Sequence, residues 1–300
     1  MKIAILMGGD GPEREVSFKS GREVQRALEK YHTIILFDPA KKNFCRKILK
    51  AKPDFVFIAL HGGMGESGII QGFLETAGIP YSGSGVFSSA LCMDKIATKR
   101  ILLSHGITTP PFLALNTPVA SAKIPFRFPV VVKPAGLGST IGISIVEDPA
   151  DMEDALQKAF SFDRSVLIEK FVKGTEITAG LLGNESPRVL PLIEIRTERE
   201  LYDYTAKYVK GQSIHIIPPQ LDRRTLSRVE KIALASYQIL KCRGFGRMEM
   251  IVDRKGIPWV LEVNTIPGFT SVSLLPDAAA HAGIDFETLC NEIVKLGCEK

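Results

Sequence analysis

Phe128-Pro129-Val130-Val131-Val132-Lys133-Pro134-Ala135-Gly136-Leu137-Gly138-Ser139-Thr140-Ile141-Gly142-Ile143-Ser144-Ile145 is the stretch of this 300-residue chain whose reading decides the fold. Apolar, mostly β-branched residues flank a turn with three glycines in seven positions. The pattern predicts two strands joined by a loop whose backbone can approach a ligand closely. Consecutive N–H groups in such a loop can cradle phosphate oxygens. The spacing is Gly-x-Gly-x-x-x-Gly and the residues beyond it are strand-like, whereas a dinucleotide fingerprint needs Gly-x-Gly-x-x-Gly opening a helix. A Walker A loop is excluded as well, because the sequence contains no Gly-Lys pair. Read alone, the loop is a flexible turn. Lys133 changes that, since an ammonium at the end of an apolar run is costly to bury without an anionic partner.

A second constellation lies toward the C-terminus. Gly246-Arg247-Met248-Glu249-Met250-Ile251-Val252-Asp253 is followed by the turn Arg254-Lys255-Gly256-Ile257 and then by Pro258-Trp259-Val260-Leu261-Glu262-Val263-Asn264-Thr265. Strand side chains alternate faces, so Arg247 shares a face with Glu249, and Glu262 with Asn264. With a four-residue turn, Asp253 faces Pro258, and continuing the ladder sets Glu249 opposite Glu262 and Arg247 opposite Asn264. Opposed residues have Cβ atoms roughly 4.5–5.5 Å apart. Two carboxylates so placed repel unless a cation lies between them. Mg²⁺ suits the position, because it takes few protein oxygens and completes its shell with water and phosphate. The plainer reading is a solvent-facing strand pair.

Outward from these motifs the chain alternates strand and helix patterns. Apolar runs at 3–7, 33–37 and 54–60 predict strands, and helical spacing recurs over 13–31, 44–51 and 69–77, which together predict a parallel α/β sheet. In such sheets the functional loops sit at strand C-terminal ends, here Gly8-Gly9 and His61-Gly62-Gly63. One helix is expected through Met93, Ile96 and Leu103 to Gly106, with a domain boundary near 93. Strands over 128–133, 141–146, 166–171 and 177–182 enclose a helix at 149–160. Strands near 189–195 and 215–217, a helix at 224–241, the hairpin and a C-terminal helix from Asp285 complete the chain. Residues 196–213 lack a clean period and hold Tyr202, Tyr204, Lys207, Tyr208 and Lys210; a loop of that length in a compact domain is usually functional.

Composition narrows the function classes. Apolar residues make up 45% and charged residues 24%, ordinary for a globular protein. The net charge of +5 comes from scattered lysines and arginines, with no nucleic-acid footprint. Five cysteines without a Cys-x-x-Cys pair argue against a disulfide framework and for a reducing compartment. No run of eighteen apolar residues occurs, so a cytoplasmic protein without membrane contact is expected. Serine hydrolysis lacks a Gly-x-Ser-x-Gly, and zinc chemistry lacks its His and Cys spacing.

Seven motifs succeed one another along the whole chain. They are Glu13-Arg14-Glu15-Val16-Ser17, His61-Gly62 with Gly65-Glu66, Met93-Asp94-Lys95, the Lys133 loop, Glu169-Lys170, Tyr202-Asp203-Tyr204 with Ala206-Lys207-Tyr208, and Glu262-Val263-Asn264-Thr265-Ile266-Pro267-Gly268-Phe269-Thr270-Ser271. In this order they resemble the D-alanine–D-alanine ligase family of the ATP-grasp superfamily. The resemblance implies an N-terminal parallel α/β domain over 1–93 and a two-lobed ATP-grasp fold of α+β character. Its central lobe, 94–178, carries the glycine loop; its C-terminal lobe, 179–300, carries the hairpin and a substrate loop.

The implied reaction joins two D-alanines through an acyl phosphate at the expense of ATP, for peptidoglycan precursor synthesis. The implied cofactor is Mg²⁺ or Mn²⁺, as two ions, and the implied assembly is a homodimer through the N-terminal domain. Lys95, Lys133 and Gly138 are expected at the ATP phosphates, Glu169, Lys170, Phe171 and Val172 at adenine, and Glu176 at the ribose. Glu249, Glu262 and Asn264 are expected to hold the metal, with Lys207 near the transferred phosphate and Arg247 beside the acyl phosphate. Glu13, bonded with Ser139 and Tyr208, is expected at the first substrate's ammonium near His61. Ser273, the Leu274 backbone and Gly268 are expected at the second carboxylate. Glu249 stands where the family usually has Asp, and Phe171 where Trp is frequent. Met64 and Ser67 alter the usual surroundings of His61, while Tyr208 matches the D-alanine-specific members. Each residue alone has a plainer reading: Glu13 as a first-turn acid, Lys95 as a solvated helix lysine, His61 and Ser139 as turn residues. Other readings are an ATP-grasp ligase of other D-amino or hydroxy acids and a nucleotide-binding regulator.

Overall fold

The computed structural model of the chain describes residues 1–117, 124–197, 213–270 and 273–299. The N-terminal part is a parallel sheet of order β2-β1-β3, built from β1 (Lys2–Leu6), β2 (Thr33–Phe37) and β3 (Phe55–Ile58). β1 is central and almost wholly buried, which is why it reads as a continuous apolar run. The connecting helices are α1 (Arg14–Leu28) and α2 (Phe44–Ala51). Helix α1 buries Val16, Ser17, Ser20, Val24, Ala27 and Leu28 on one stripe, the spacing that predicts it. After β3 come α3 (Gly63–Glu66), α4 (Ile69–Thr76), α5 (Val86–Met93) and α6 (Lys95–Ser104).

The single helix expected through Met93 and Ile96 is thus two helices. Asp94 breaks it, because its extended backbone lets the carboxylate cap α6 by accepting from the Ile96 and Ala97 N–H groups. The break sets Lys95 on the first turn of α6.

Next comes a four-stranded antiparallel sheet of order β4-β7-β5-β6: β4 (Phe112–Leu115), β5 (Val130–Pro134), β6 (Ser144–Val146) and β7 (Val166–Lys170). Helix α7 (Met152–Phe160), entered through a 3₁₀ turn, covers one face. β4 was not expected from the pattern, since it comes after Pro110-Pro111 and is only half-buried.

The third sheet runs β11-β10-β8-β12-β13, with the two-residue β9 (Arg188–Val189) beside β8. Its strands are β8 (Gly174–Leu182), β10 (Ile193–Arg196), β11 (Ile214–Ile216), β12 (Phe245–Asp253) and β13 (Pro258–Asn264). β8 crosses the expected division at 178/179 and belongs whole to this sheet, because it pairs with β12 along all nine residues. Helices α8 (Arg223–Ile239) and α9 (Leu274–His281) pack against it, while α10 (Phe286–Cys298) packs against α9, α1 and β3. α9 also went unread; Pro276 interrupts its pattern but sits in the first turn, where proline is tolerated.

The N-terminal sheet and the large sheet share one core. Phe269 is fully buried there, with its ring edge-on to Phe57 at 5.6 Å and Phe245 at 5.3 Å and near Phe286 at 6.2 Å. Phe57 comes from β3, Phe245 from β12 and Phe286 from α10. Because truncating Phe269 removes these ring contacts and leaves a cavity at the junction, Phe269→Ala is expected to destabilise the protein by about 3–5 kcal/mol in urea denaturation. A loss under about 1 kcal/mol contradicts a shared core.

Candidate active site

The two constellations come together in a pair of adjoining cavities. One is lined by Lys133, Glu169, Lys170, Phe171, Val172, Glu176, Glu249 and Glu262. The other is lined by Glu13, His61, Glu66, Gly138, Ser139, Arg247, Asn264, Gly268, Ser273 and Leu274. Lys95 and Glu262 line both, so the wall between the cavities is a cation and an acid. Lys207 and Tyr208, expected here, lie outside the described residues.

The hairpin brings Glu249 opposite Glu262 and Arg247 opposite Asn264, as the strand alternation predicts, but by another route. The turn is one residue shorter than expected: the Asp253 N–H donates to the Ile257 carbonyl, Gly256 takes a left-handed φ of 70°, and Val252 rather than Asp253 faces Pro258. A ladder carried on from there would set Glu249 opposite Leu261 and turn Glu262 to the other face. A bulge after Glu249 absorbs the offset, because Met250 pairs with Val260 while Glu249 pairs with Glu262, leaving Leu261 as the extra residue.

Both acids have cationic partners. Arg247 Nη2 lies 2.6 Å from Glu249, and Lys95 Nζ lies 3.3 Å from Glu262. Lys95 also donates to the Leu137 carbonyl at 2.6 Å, which ties the glycine loop to the same wall. At the tip of that loop Ser139 and Thr140 hold left-handed φ values of 53° and 62°, an uncommon conformation for residues with a Cβ.

Glu13 closes the second cavity from the N-terminal side. Its carboxylate, at the start of α1, accepts a hydrogen bond from the Ser139 hydroxyl across 126 positions of sequence. It is not a solvated first-turn acid; it is 6% exposed. Gly62, at φ 65°, lets the chain pass close by, since a Cβ there would sit 2.8 Å from the Glu13 carboxylate. His61 lines the same cavity, and its ring is held from two sides. Its Nε2 lies 2.9 Å from the Ser20 hydroxyl and its Nδ1 3.3 Å from the Ile266 carbonyl. Burial lowers its pKa, so the neutral ring uses both nitrogens within the protein. Ser273 stands at the N-terminal end of α9, where its hydroxyl accepts from the Thr270 N–H, and with Leu274 it lines the cavity where helix N–H groups favour a carboxylate.

Glu169 lines the first cavity, but its carboxylate is spent on two lysines. Lys133 Nζ lies 2.7 Å from Oε2 and Lys99 Nζ 2.6 Å from Oε1. Lys133 faces Leu167 in the ladder and Glu169 faces Val131, so the two are diagonal neighbours on one face. Against the burial that would raise it, Lys133 and then Lys99 hold the Glu169 carboxyl below its ordinary range. Lys99 was missed in the sequence; burial pulls it down to about 8, against the attraction of Glu169.

The donor set fits a hard cation. Glu249, Glu262 and the Asn264 amide offer oxygen alone, and among the described residues no group of three or more His, Cys, Asp or Glu could cage a metal. Magnesium, which keeps positions for phosphate and water, suits such an incomplete shell.

Glu66 is a further buried acid in the second cavity. Burial first, then the nearby Glu13 charge, push its carboxyl up to about 8, while the Gly62 N–H donates to it at 3.0 Å. The folded state therefore holds a proton that the unfolded chain releases above about 4.5. This contribution to stability is complete below that pH and is lost as pH rises through about 8. Glu66→Gln is expected to flatten the decline in urea-denaturation stability between pH 5 and 8; parallel curves for the two proteins contradict the assignment.

Comparison with known proteins agrees with this geometry. The family model described as D-ala D-ala ligase C-terminus matches residues 102–295, and that of the D-ala D-ala ligase N-terminus matches residues 39–84. The D-alanine–D-alanine ligase of Moorella thermoacetica is 46% identical over 309 aligned positions, covering 100% of both chains. That of Pelotomaculum thermopropionicum is 45% identical, covering 100% of this chain and 97% of its own. A crystal structure of D-alanine–D-alanine ligase from Bacillus anthracis superposes with a TM-score of 0.86 at 39% identity, and one complexed with ATP with 0.84 at 37%. Each covers 99% of this chain and 97% of its own. With both halves matched and full-length relatives this similar, the chain belongs to the D-alanine–D-alanine ligase family.

Proposed function

We propose that this protein condenses two D-alanines to D-alanyl-D-alanine with cleavage of ATP to ADP and phosphate. The observation that carries the reading is the shared wall: Lys95 and Glu262 line both a lysine-rich cavity and one edged by Glu13, Arg247 and Ser273. Nucleotide in the first cavity and amino acids in the second would meet there.

A carboxylate does not condense with an amine unaided, because oxide is a poor leaving group. In the proposed first step the carboxylate of one D-alanine attacks the γ-phosphorus, ADP departs, and an acyl phosphate forms. Lys95 and Lys133 neutralise phosphate charge, and Lys207 is assigned to the transferred group. Glu249, Glu262 and Asn264 would hold Mg²⁺ or Mn²⁺, as two ions, which screens the triphosphate when bound. Glu13, steadied by Ser139 and with Tyr208 assigned beside it, receives the first ammonium. Ser273, Leu274 and Gly268 receive the second carboxylate. The second amine, free of its proton, then attacks the acyl carbon, Arg247 stabilises the oxyanion, and phosphate leaves. Lys170, Phe171, Val172 and Glu176 form the nucleoside end, with Gly138 at the phosphates.

The 136–142 loop, held by Lys95 and Ser139, and the 202–212 segment are assigned to exclude water from the acyl phosphate. Among the described residues no helix is long and apolar enough to cross a membrane. All five cysteines are free. We place the reaction in the cytoplasm. Exposed Ile69 and Phe87, on the contacting helices α4 and α5, support a homodimer through the N-terminal part.

ADP release with Mg-ATP and D-alanine tests the reading; no release above the level without amino acid rejects it. Parallel assays with D-serine and D-lactate fix the acceptor class. Lys133→Ala and Glu262→Ala are each expected to lower turnover at least about tenfold, and wild-type rates in both would discredit the site map.

A further inference from the structure

We propose that Lys99 is a positioning residue for nucleotide binding, which sets the Lys133 ammonium through Glu169 and the Glu262 strand through the Val260 carbonyl. It lines neither cavity. This inference rests on the reading of Lys133 as a phosphate ligand.

Lys99 stands one helical turn beyond Lys95 on α6 and is 1% exposed. Its ammonium donates to Thr109 Oγ1 at 2.6 Å and to the Val260 carbonyl at 3.3 Å, and forms an ion pair with Glu169 Oε1 at 2.6 Å. Those partners come from β7, from the segment before β4 and from β13, so one ammonium joins the four-stranded sheet to the large sheet behind the nucleotide cavity. Val260 immediately precedes the extra residue Leu261 and the acid Glu262. Burying an ammonium for stability alone is unfavourable, because a well-packed apolar side chain often serves as well or better.

The electrostatics give the placement a purpose. Two lysines share one carboxylate, so the triad Lys99, Glu169 and Lys133 carries one excess positive charge. With Lys99 removed, Glu169 and Lys133 become an equal pair. The carboxylate then draws both of its oxygens toward Lys133 and cancels the charge that a phosphate would meet. Lys99 holds one carboxylate oxygen away, leaving Lys133 only partly committed.

Steady-state kinetics on Lys99→Met, Lys133→Met and the double variant Lys99→Met/Glu169→Gln tests this. Lys99→Met is expected to raise the ATP KM at least about tenfold while the D-alanine KM stays within about twofold. Adding Glu169→Gln frees Lys133 and is expected to return the ATP KM to within about threefold of the parent. A merely structural lysine gives the opposite pattern: kcat falls with the folded fraction and the second substitution worsens the loss. That pattern, or an unchanged ATP KM in folded Lys99→Met, overturns the proposal. Should Lys99→Met fail to fold, Thr109→Val removes one acceptor of the same ammonium; it is expected to raise the ATP KM alone by about two- to fivefold, and no rise overturns the proposal. A Lys133→Met protein with normal ATP KM refutes the phosphate reading and the inference with it. A raised ATP KM in Lys133→Met beside a normal one in Lys99→Met refutes the inference alone.

Discussion

Two like charges held face to face govern the design of this site. Glu249 and Glu262 occupy opposed positions of one hairpin, where electrostatics would push them apart, and the fold answers with cations from two directions. Arg247 comes from the same strand, two residues away, and Lys95 from a helix on the far side of the cleft. Removing either acid would take a close ion-pair partner from a buried cation, so the constraint binds both ways. It also explains why α6 must begin where it does. Asp94 ends one helix and starts the next, and so aims Lys95 at both the glycine loop and the hairpin.

The second organising contact spans the molecule. Glu13 belongs to the N-terminal unit and Ser139 to the glycine loop, and their hydrogen bond makes the amino-acid cavity a joint product of distant segments. The shared core around Phe269 fixes the base of that arrangement, since the same segment that carries Gly268 anchors its aromatic ring among three elements. Packing and chemistry are thus adjacent along the chain.

Much of this was legible in residue order, for identifiable reasons. Period-two and period-3.6 patterns located the sheets because most strands are buried on at least one face, as β1 and β12 are. Half-buried β4 and proline-containing α9 fell below that signal. The opposition of Glu249 and Glu262 was read correctly from an incorrect turn, because two local irregularities cancel. Lys99 was invisible for a different reason: at helical spacing from Lys95 it reads as a solvated lysine, and only its tertiary neighbours Glu169, Thr109 and Val260 reveal it. His61 lines the cavity beside Glu13, and only its tertiary neighbours Ser20 and Ile266, remote from it in sequence, show what holds its ring.

That cancellation in the hairpin has an evolutionary corollary. The short turn withdraws one residue from the ladder and the bulge at Leu261 restores it, so the two features form a matched set. Substitutions along these strands meet only local costs, whereas gaining or dropping one residue on either side rotates an acid out of the cleft. The composition of such a segment is therefore less constrained than its length, and a change that removed one irregularity would need a second change to remove the other.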